Sequence, residues 1–409
     1  MDFQYYLNRY AELAVTVGVN VQKMQTLVVT CPVSAAPFAR LVARKAYEAG
    51  AKHVYFEWAD DELTRIKYDL APEEAFDEYP AWKAKGMEEL AKNGAAFLQI
   101  SAPNPELLKG VDPNRIARAN KAAGEATKQY RSELMADKVS WCVIAVPSPA
   151  WAEVVFPDLP EDERQPALWN AIFEATRIHT DDPIEAWKKH QVQLNSKVHI
   201  LNQKKYKTLH YEAPGTRLSI DLPDGHLWVG GGANTQDGVP FMPNIPTEEV
   251  FTAPHKDGVN GVVQSTKPLS YHGNLIEDFQ LTFENGRIVK ATAKKGEAYL
   301  QKLLDTDEGA RYLGEVALVP HHSPISRSNL IFYNTLFDEN ASNHLAIGKA
   351  YPTNLAGGST MSEEELASYG LNTSLVHVDF MIGSAEMNID GERADGQREA
   401  IFRNGNWAF

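Results

Sequence analysis

Over the first half of the chain, short apolar runs alternate with amphipathic stretches, and this alternation restricts the fold more than any other feature. Strands separated by helix-length connections pair in parallel through right-handed crossovers. Tyr5 to Val17 reads as an opening helix, Thr26 to Cys31 (TLVVTC) as a buried strand, Pro37 to Ala49 as a helix closed by Gly50, and Val54 to Trp58 as the next strand. The unit recurs. Trp82 to Asn93 is helical up to Gly94, Ala95 to Ile100 is a strand, Ile116 to Ala136 a helix and Val139 to Val146 a strand, with two or three further helices within Phe156 to Lys197. The expected architecture is a doubly wound α/β sheet with helices on both faces.

Near Tyr206 the pattern changes. Apolar runs shorten and turn signals crowd together at Pro214-Gly215, Pro223-Asp224-Gly225, Asp257-Gly258 and Asn285-Gly286. The expected division is an N-terminal α/β domain over residues 1–205 and a β-rich α+β domain over 206–409. Phe279 to Phe283 and Arg287 to Ala293 form the clearest hairpin. Gly230 to Gly232 lacks the GxGxxG and GxxxxGK spacings and opens no helix, so a flexible loop is expected there rather than a phosphate cradle.

Charge narrows the partners. Forty Lys and Arg against 54 Asp and Glu leave a net charge of −14, a field that repels phosphate backbones, so nucleic acid is not an expected partner. No run approaches the roughly 20 apolar residues that span a bilayer, and Met1 to Arg9 lacks the basic and apolar regions of a signal peptide. A cytoplasmic protein with no membrane partner is expected. Cys31 and Cys142 lie in apolar strands and read as buried thiols.

The informative polar residues all lie in the second half. In Leu375 to Ile382 (LVHVDFMI), alternation puts His377 and Asp379 on one strand face and Val376, Val378, Phe380 and Ile382 on the other. An imidazole and a carboxylate two residues apart can reach one metal, although a solvated polar face has the same pattern. Acidic residues set in apolar strands add weight, because an unpaired buried carboxylate is costly. Glu248 and Glu249 fall in Ile245 to Thr252 (IPTEEVFT), where strand geometry lets only one face a site. Glu315 follows Gly314 at the head of the apolar run Val316 to Val319, a placement that aims a carboxylate from a strand end. Glu339 and His344 lie in FDENASNHL, whose Asp, Asn and Ser content predicts a turn; five residues apart on a helix, they would diverge.

The segments NIPTEEVFTAP from Asn244, LGEVALVP from Leu313, FYNTLFDENASNHLAIGKAY from Phe332 and HVD at His377 resemble the thermophilic-type metalloaminopeptidases, the family of aminopeptidases T and S. The resemblance extends over essentially the whole chain. It implies metal ligands at Glu249, Glu315, Glu339, His344, His377 and Asp379, and an active-site tyrosine at Tyr351. It also implies a pair of divalent ions, and four carboxylates with two neutral imidazoles balance two such charges. Nitrogen and oxygen donors without thiolate suit zinc or cobalt first, then manganese or magnesium.

The implied activity is removal of the N-terminal residue from peptides by a two-metal-activated water. Tyr351 would donate to the oxyanion and Glu315 would carry the proton to the leaving amine, with Glu248 as the other candidate for that task. A dipeptidase or deacetylase would use the same metal chemistry, and a non-enzymatic binding module on the doubly wound domain is a second alternative. His321 and His322 are expected to line a loop or cleft without binding metal, and Arg327 is a candidate for substrate contact or for plain solvent exposure. The resemblance further implies a homodimer with restricted access to its sites. Trp151, Phe156, Trp169, Phe173 and Trp187 crowd one stretch, where helical spacing predicts core and an interface is the alternative.

Overall fold

The segment Thr26–Pro32 is apolar on both sides of its pleat, and a strand of that kind must be covered twice. In the computed structural model, which describes residues 3–271 and 274–409, it is an inner strand of a four-stranded sheet. The order is His53–Ala59, Thr26–Pro32, Ala96–Ser101 and Trp141–Ala145, and every pairing is parallel, as the strand-helix alternation predicts. Ala36–Glu48 and Ala81–Lys92 supply helical crossovers. The long helix expected over Ile116 to Ala136 is two helices, Pro113–Ala126 and Lys128–Met135. They separate at Thr127, whose hydroxyl donates to the Ala123 carbonyl at 2.7 Å alongside its own N–H at 2.9 Å, a back-bond of the kind that bends helices. Asp61–Leu70 is a further helix, outside the sequence reading: Asp60 caps it by accepting from the Leu63 N–H at 3.0 Å, and none of its residues is buried.

The described chain groups into two compact units, Met1–Val192 with Gly231–Thr247, and Gln193–Gly230 with Glu248–Phe409. The passage from first to second falls inside the helix Pro183–Lys204, ahead of the change of sequence character at Tyr206. A helix that runs through a boundary gives it no breaker residue.

Trp151 and Trp187 are fully buried, Phe173 is 2% exposed, and Trp169 packs against the rings of Phe3, Tyr10 and Phe38. These aromatics are the first unit's own core and supply no argument for a subunit interface. Cys31 and Cys142 are buried and free, and burial pushes the Cys31 thiol up to about 11.

The second unit holds two antiparallel sheets, one of nine strands and one of five. In the larger, the expected hairpin spans Asn274–Glu284 and Arg287–Lys295. Its two-residue turn puts Asn285 (φ 47°) and Gly286 (φ 81°) in the left-handed region that a type I′ turn requires. The smaller sheet has the order His377–Met381, His344–Gly348, Leu313–Leu318, Val250–Thr252 and Val229–Gly230. Its last strand corrects the reading of Gly230 as loop, since Gly230 pairs with Val250. Val250, Val316, Leu318, Leu345, Ile347 and Phe380 from this sheet join Leu209, Leu218, Phe279 and Leu281 from the other in one core. With one face of the small sheet committed to that core, the alternate residues on its other face are presented together. Among the described residues, no helix is long and apolar enough to cross a membrane.

Candidate metal centre

Period-two alternation in three neighbouring strands selects the residues of the presented face. In His377–Met381 they are His377 and Asp379; in His344–Gly348, His344 and Ala346; in Leu313–Leu318, Glu315 and Ala317. Register then decides which of them meet. Glu315 lies opposite Ala346 and Ala346 opposite Asp379, so one row across three strands reads Glu315, Ala346, Asp379. The methyl group between the two acids leaves open volume over the sheet. Sequence reasoning passed over Ala346, because a small residue in an apolar strand carries no signal of its own.

Glu315 does not project from a strand end, as expected, but from within the strand. The ladder shifts register between Leu313 and Glu315, and this bulge turns the carboxylate toward the histidines. Gly314 makes the bulge feasible, since a Cβ there would stand 2.4 Å from both the Gly348 and Lys349 carbonyl oxygens.

Glu249 and Glu339 arrive differently. The IPTEEVFT segment is a strand only over Val250–Thr252, so Glu248 and Glu249 precede it in irregular chain after the cis peptide Ile245-Pro246. Glu339 stands on the tight turn Glu339–Ala341, as the Asp, Asn and Ser content predicts, and His344 opens the strand that follows. The turn is anchored by Asp338, which is buried and accepts from the N–H groups of Phe332 (2.8 Å) and Asn334 (3.1 Å).

The result is three interlocking donor groups: Glu249, Glu315 and His344; Glu315, His377 and Asp379; Glu339, His344 and Asp379. Within each, the candidate ligand atoms lie within 4.8 Å of one another. Glu315, His344 and Asp379 each belong to two groups, and together the groups contain the six residues singled out as ligands. His344 Nε2 lies 3.0 Å from a Glu249 oxygen and 3.5 Å from Glu315. His377 Nε2 lies 3.5 Å from both Glu315 and Asp379.

Both imidazoles are oriented by backbone. His377 Nδ1 sits 2.6 Å from the Lys349 carbonyl and His344 Nδ1 3.2 Å from the Ser342 carbonyl. A carbonyl oxygen only accepts, so Nδ1 carries a proton and Nε2 faces the carboxylates, the atom that would ligate a cation once deprotonated. Such a second bond on the far nitrogen typically accompanies metal-ligating histidine. His344 Nε2 and Asp379 Oδ1 are buried, and no hydrogen bond of acceptable geometry reaches either, despite neighbours at 3.0–3.5 Å. These atoms converge on shared points rather than on one another. The donor set therefore fits hard or borderline divalent cations.

Without cations the cluster compensates by holding protons. Burial, with Asp379 and Glu249 nearby, pushes the Glu315 carboxyl up to about 7 against the pull of the His344 and His377 rings. Burial likewise lifts Glu339 well above the carboxylate range. For His377, burial pulls down but the Asp379 and Glu315 carboxylates prevail and raise it to about 9. Burial alone would raise Asp379, but His377 and His344 hold it below its ordinary value.

Tyr351 lies beside this cluster, its ring edge-on to His377 with centroids 4.9 Å apart and 5.9 Å from Phe251. Burial, then the negative field of Glu315 and Asp379, pushes its hydroxyl well above 10, so it stays a donor. His321 and His322 stand outside the donor groups, in a turn where the Ser326 hydroxyl pairs with His321 Nδ1 at 3.3 Å. Arg327 is exposed at the end of the short helix Pro324–Arg327.

A profile of the thermophilic metalloprotease (M29) family matches residues 3–407. Aminopeptidase 2 of Geobacillus stearothermophilus is 62% identical over 98% of both chains, and aminopeptidase AmpS of Bacillus subtilis (strain 168) is 60% identical over the full length of both. Among solved structures, wild-type AmpT from Thermus thermophilus superposes with a TM-score of 0.93 at 46% identity and full coverage of both chains.

Proposed function

The chain belongs to the thermophilic metalloprotease (M29) family, and on that premise we propose that it releases N-terminal residues from peptides at a pair of divalent cations held by Glu249, Glu315, Glu339, His344, His377 and Asp379. That it is a metal-dependent aminopeptidase follows from the metalloprotease family it belongs to and from full-length relatives named aminopeptidases. The observation that supports a pair rather than a single ion is the interlocking of the donor groups, with Glu315 and Asp379 each common to two of them. Zinc or cobalt suits the carboxylate and imidazole donors first, then manganese or magnesium.

When bound, the cations supply Lewis acidity toward a carbonyl oxygen and lower the pKa of water. The chain's own residues do the rest. The Nδ1 bonds to Ser342 and Lys349 keep both imidazoles facing the donor cluster. Tyr351, protonated throughout the working range, donates to the oxyanion that develops on the scissile carbonyl. Glu315 takes the proton from the attacking water and returns it to the leaving amine. A Glu248→Gln protein that keeps its metal but loses turnover would transfer that role to Glu248.

Elemental analysis of protein purified without chelator should find two divalent ions per chain, and chelation should abolish hydrolysis of aminoacyl anilides. Amino-blocked anilides should be inert. Turnover of the blocked substrates would favour a deacetylase-type hydrolase, and full activity after chelation would overturn the metal reading. We further propose a cytoplasmic homodimer, for which light scattering should give twice the 45.5 kDa chain mass. A monomer at micromolar concentration would refute the dimer.

A further inference from the structure

Four of the six proposed ligands are placed by strand ladders: Glu315, His344, His377 and Asp379. Glu249 and Glu339 are not, since one lies in irregular chain and the other on a tight turn. Metal affinity and geometry depend on donor positions held to a fraction of an ångström, so something other than a ladder must fix these two arms. The side chain of Asn340 reaches both.

Asn340 is wholly buried. Its Oδ1 accepts from the backbone N–H of Glu248, the residue before Glu249, at 2.6 Å. Its Nδ2 donates to the Glu339 carboxylate at 3.3 Å and to the Leu336 carbonyl at 2.9 Å. One amide thus ties the backbone that carries the first arm, the carboxylate of the second, and the helical turn beneath it. The task needs an acceptor and a donor pair on one short, uncharged side chain, which among residues of this size only asparagine offers. A carboxylate held through one oxygen turns less freely, which biases Glu339 toward His344 and Asp379.

We propose that Asn340 is a positioning residue that sets the spacing between the Glu249 and Glu339 arms of the metal centre, a role resting on the two-cation reading above. It touches neither substrate nor reacting atoms. Removing such a support typically weakens metal binding 10–100-fold.

The test uses cobalt(II), whose visible d–d absorption reports coordination geometry without reference to turnover. Chelated wild type, Asn340→Ala, Asn340→Asp and Ser265→Ala are titrated with Co2+ and melted in the presence of chelator. Ser265 is a control in the same unit, where a buried hydroxyl accepts from the Phe279 N–H at 2.9 Å and no proposed ligand takes part. Asn340→Ala should bind Co2+ 10–100-fold more weakly with an altered spectrum, whereas Ser265→Ala should lose thermal stability but keep wild-type binding and spectrum. Asn340→Asp keeps the acceptor for Glu248 and sets a carboxylate against Glu339. Its spectrum should therefore stay altered, and it carries the test if the alanine variant does not fold. Wild-type affinity and spectrum in both Asn340 variants would reduce the residue to a structural role. Failure of the wild type itself to take up Co2+ would instead overturn the metal reading.

Discussion

Replacing Glu315 by Gln should make the metal-free protein more stable at alkaline pH while removing its capacity for metal. The carboxyl is buried, and its pKa rises from the usual 4.5 to about 7 in the absence of cations. Between those values the folded chain holds a proton that the unfolded chain has released, so stability falls as pH climbs through that window and stays lower above it. At about 1.4 kcal/mol per pH unit, the ionised carboxylate costs on the order of 3 kcal/mol above pH 7. Glutamine is isosteric and uncharged, and removes that cost. The pull of His344 is already contained in that shifted value, so the gain above pH 7 is at most about 3 kcal/mol, or a few degrees in Tm for a chain of this length. Metal binding moves the other way. A bound structural zinc contributes roughly 10–16 kcal/mol through about four ligands, so each lost carboxylate weakens an ion by about 10²-fold or more. Because Glu315 belongs to two donor groups, both ions should suffer, whereas Glu249→Gln and Glu339→Gln each touch one group and should retain one ion. Calorimetry in chelator at pH 5 and pH 8, repeated with excess metal, reads both effects. Glu315→Gln should melt above wild type at pH 8 in chelator, match it near pH 5 and fall below it with metal. A variant that melts below wild type at pH 8 in chelator would show that the carboxylate serves the fold and refute the reasoning.

Tyr351→Phe keeps the ring against His377 and Phe251, so metal content and Tm should hold while kcat on aminoacyl anilides falls by about 10²–10³; loss of metal would make the tyrosine structural. Ala346→Leu changes no charge but fills the row between Glu315 and Asp379, and should expel metal at a stability cost of about 1–3 kcal/mol, as measured by elemental analysis and melting after dialysis. Burial raises the Asp137 carboxyl to about 7 against the bond from Trp141 Nε1, so stability is lost as pH rises from the ordinary value toward 7. Asp137→Asn, tolerated at φ 51°, should therefore raise Tm at pH 8 and leave it unchanged at pH 4, and equal gains at both would discount the carboxyl.

Strand-helix alternation was enough to specify four parallel strands, and Asn285-Gly286 specified its hairpin, because burial on two faces and positive φ are demands that local sequence must meet by itself. His377 and Asp379 share a strand face for the same reason: a period of two is a local property. The aromatic stretch from Trp151 to Trp187 was ambiguous, since core and interface use the same residues, and only tertiary packing assigned it to the core. The helix at Asp61–Leu70 escaped notice despite the Asp60 cap, because it buries no face that periodicity could mark. The site divides along the same line. Residue type and family motif identified six candidate donors, but nothing local brings Glu249, Glu315, Glu339 and His377 within reach of one another. Strand register set Ala346 between two acids, the bulge at Gly314 turned Glu315, and Asn340 reached from its turn to the backbone beside Glu249. Each of these is a relation between segments distant in sequence, decided only when the sheet closes over a common core.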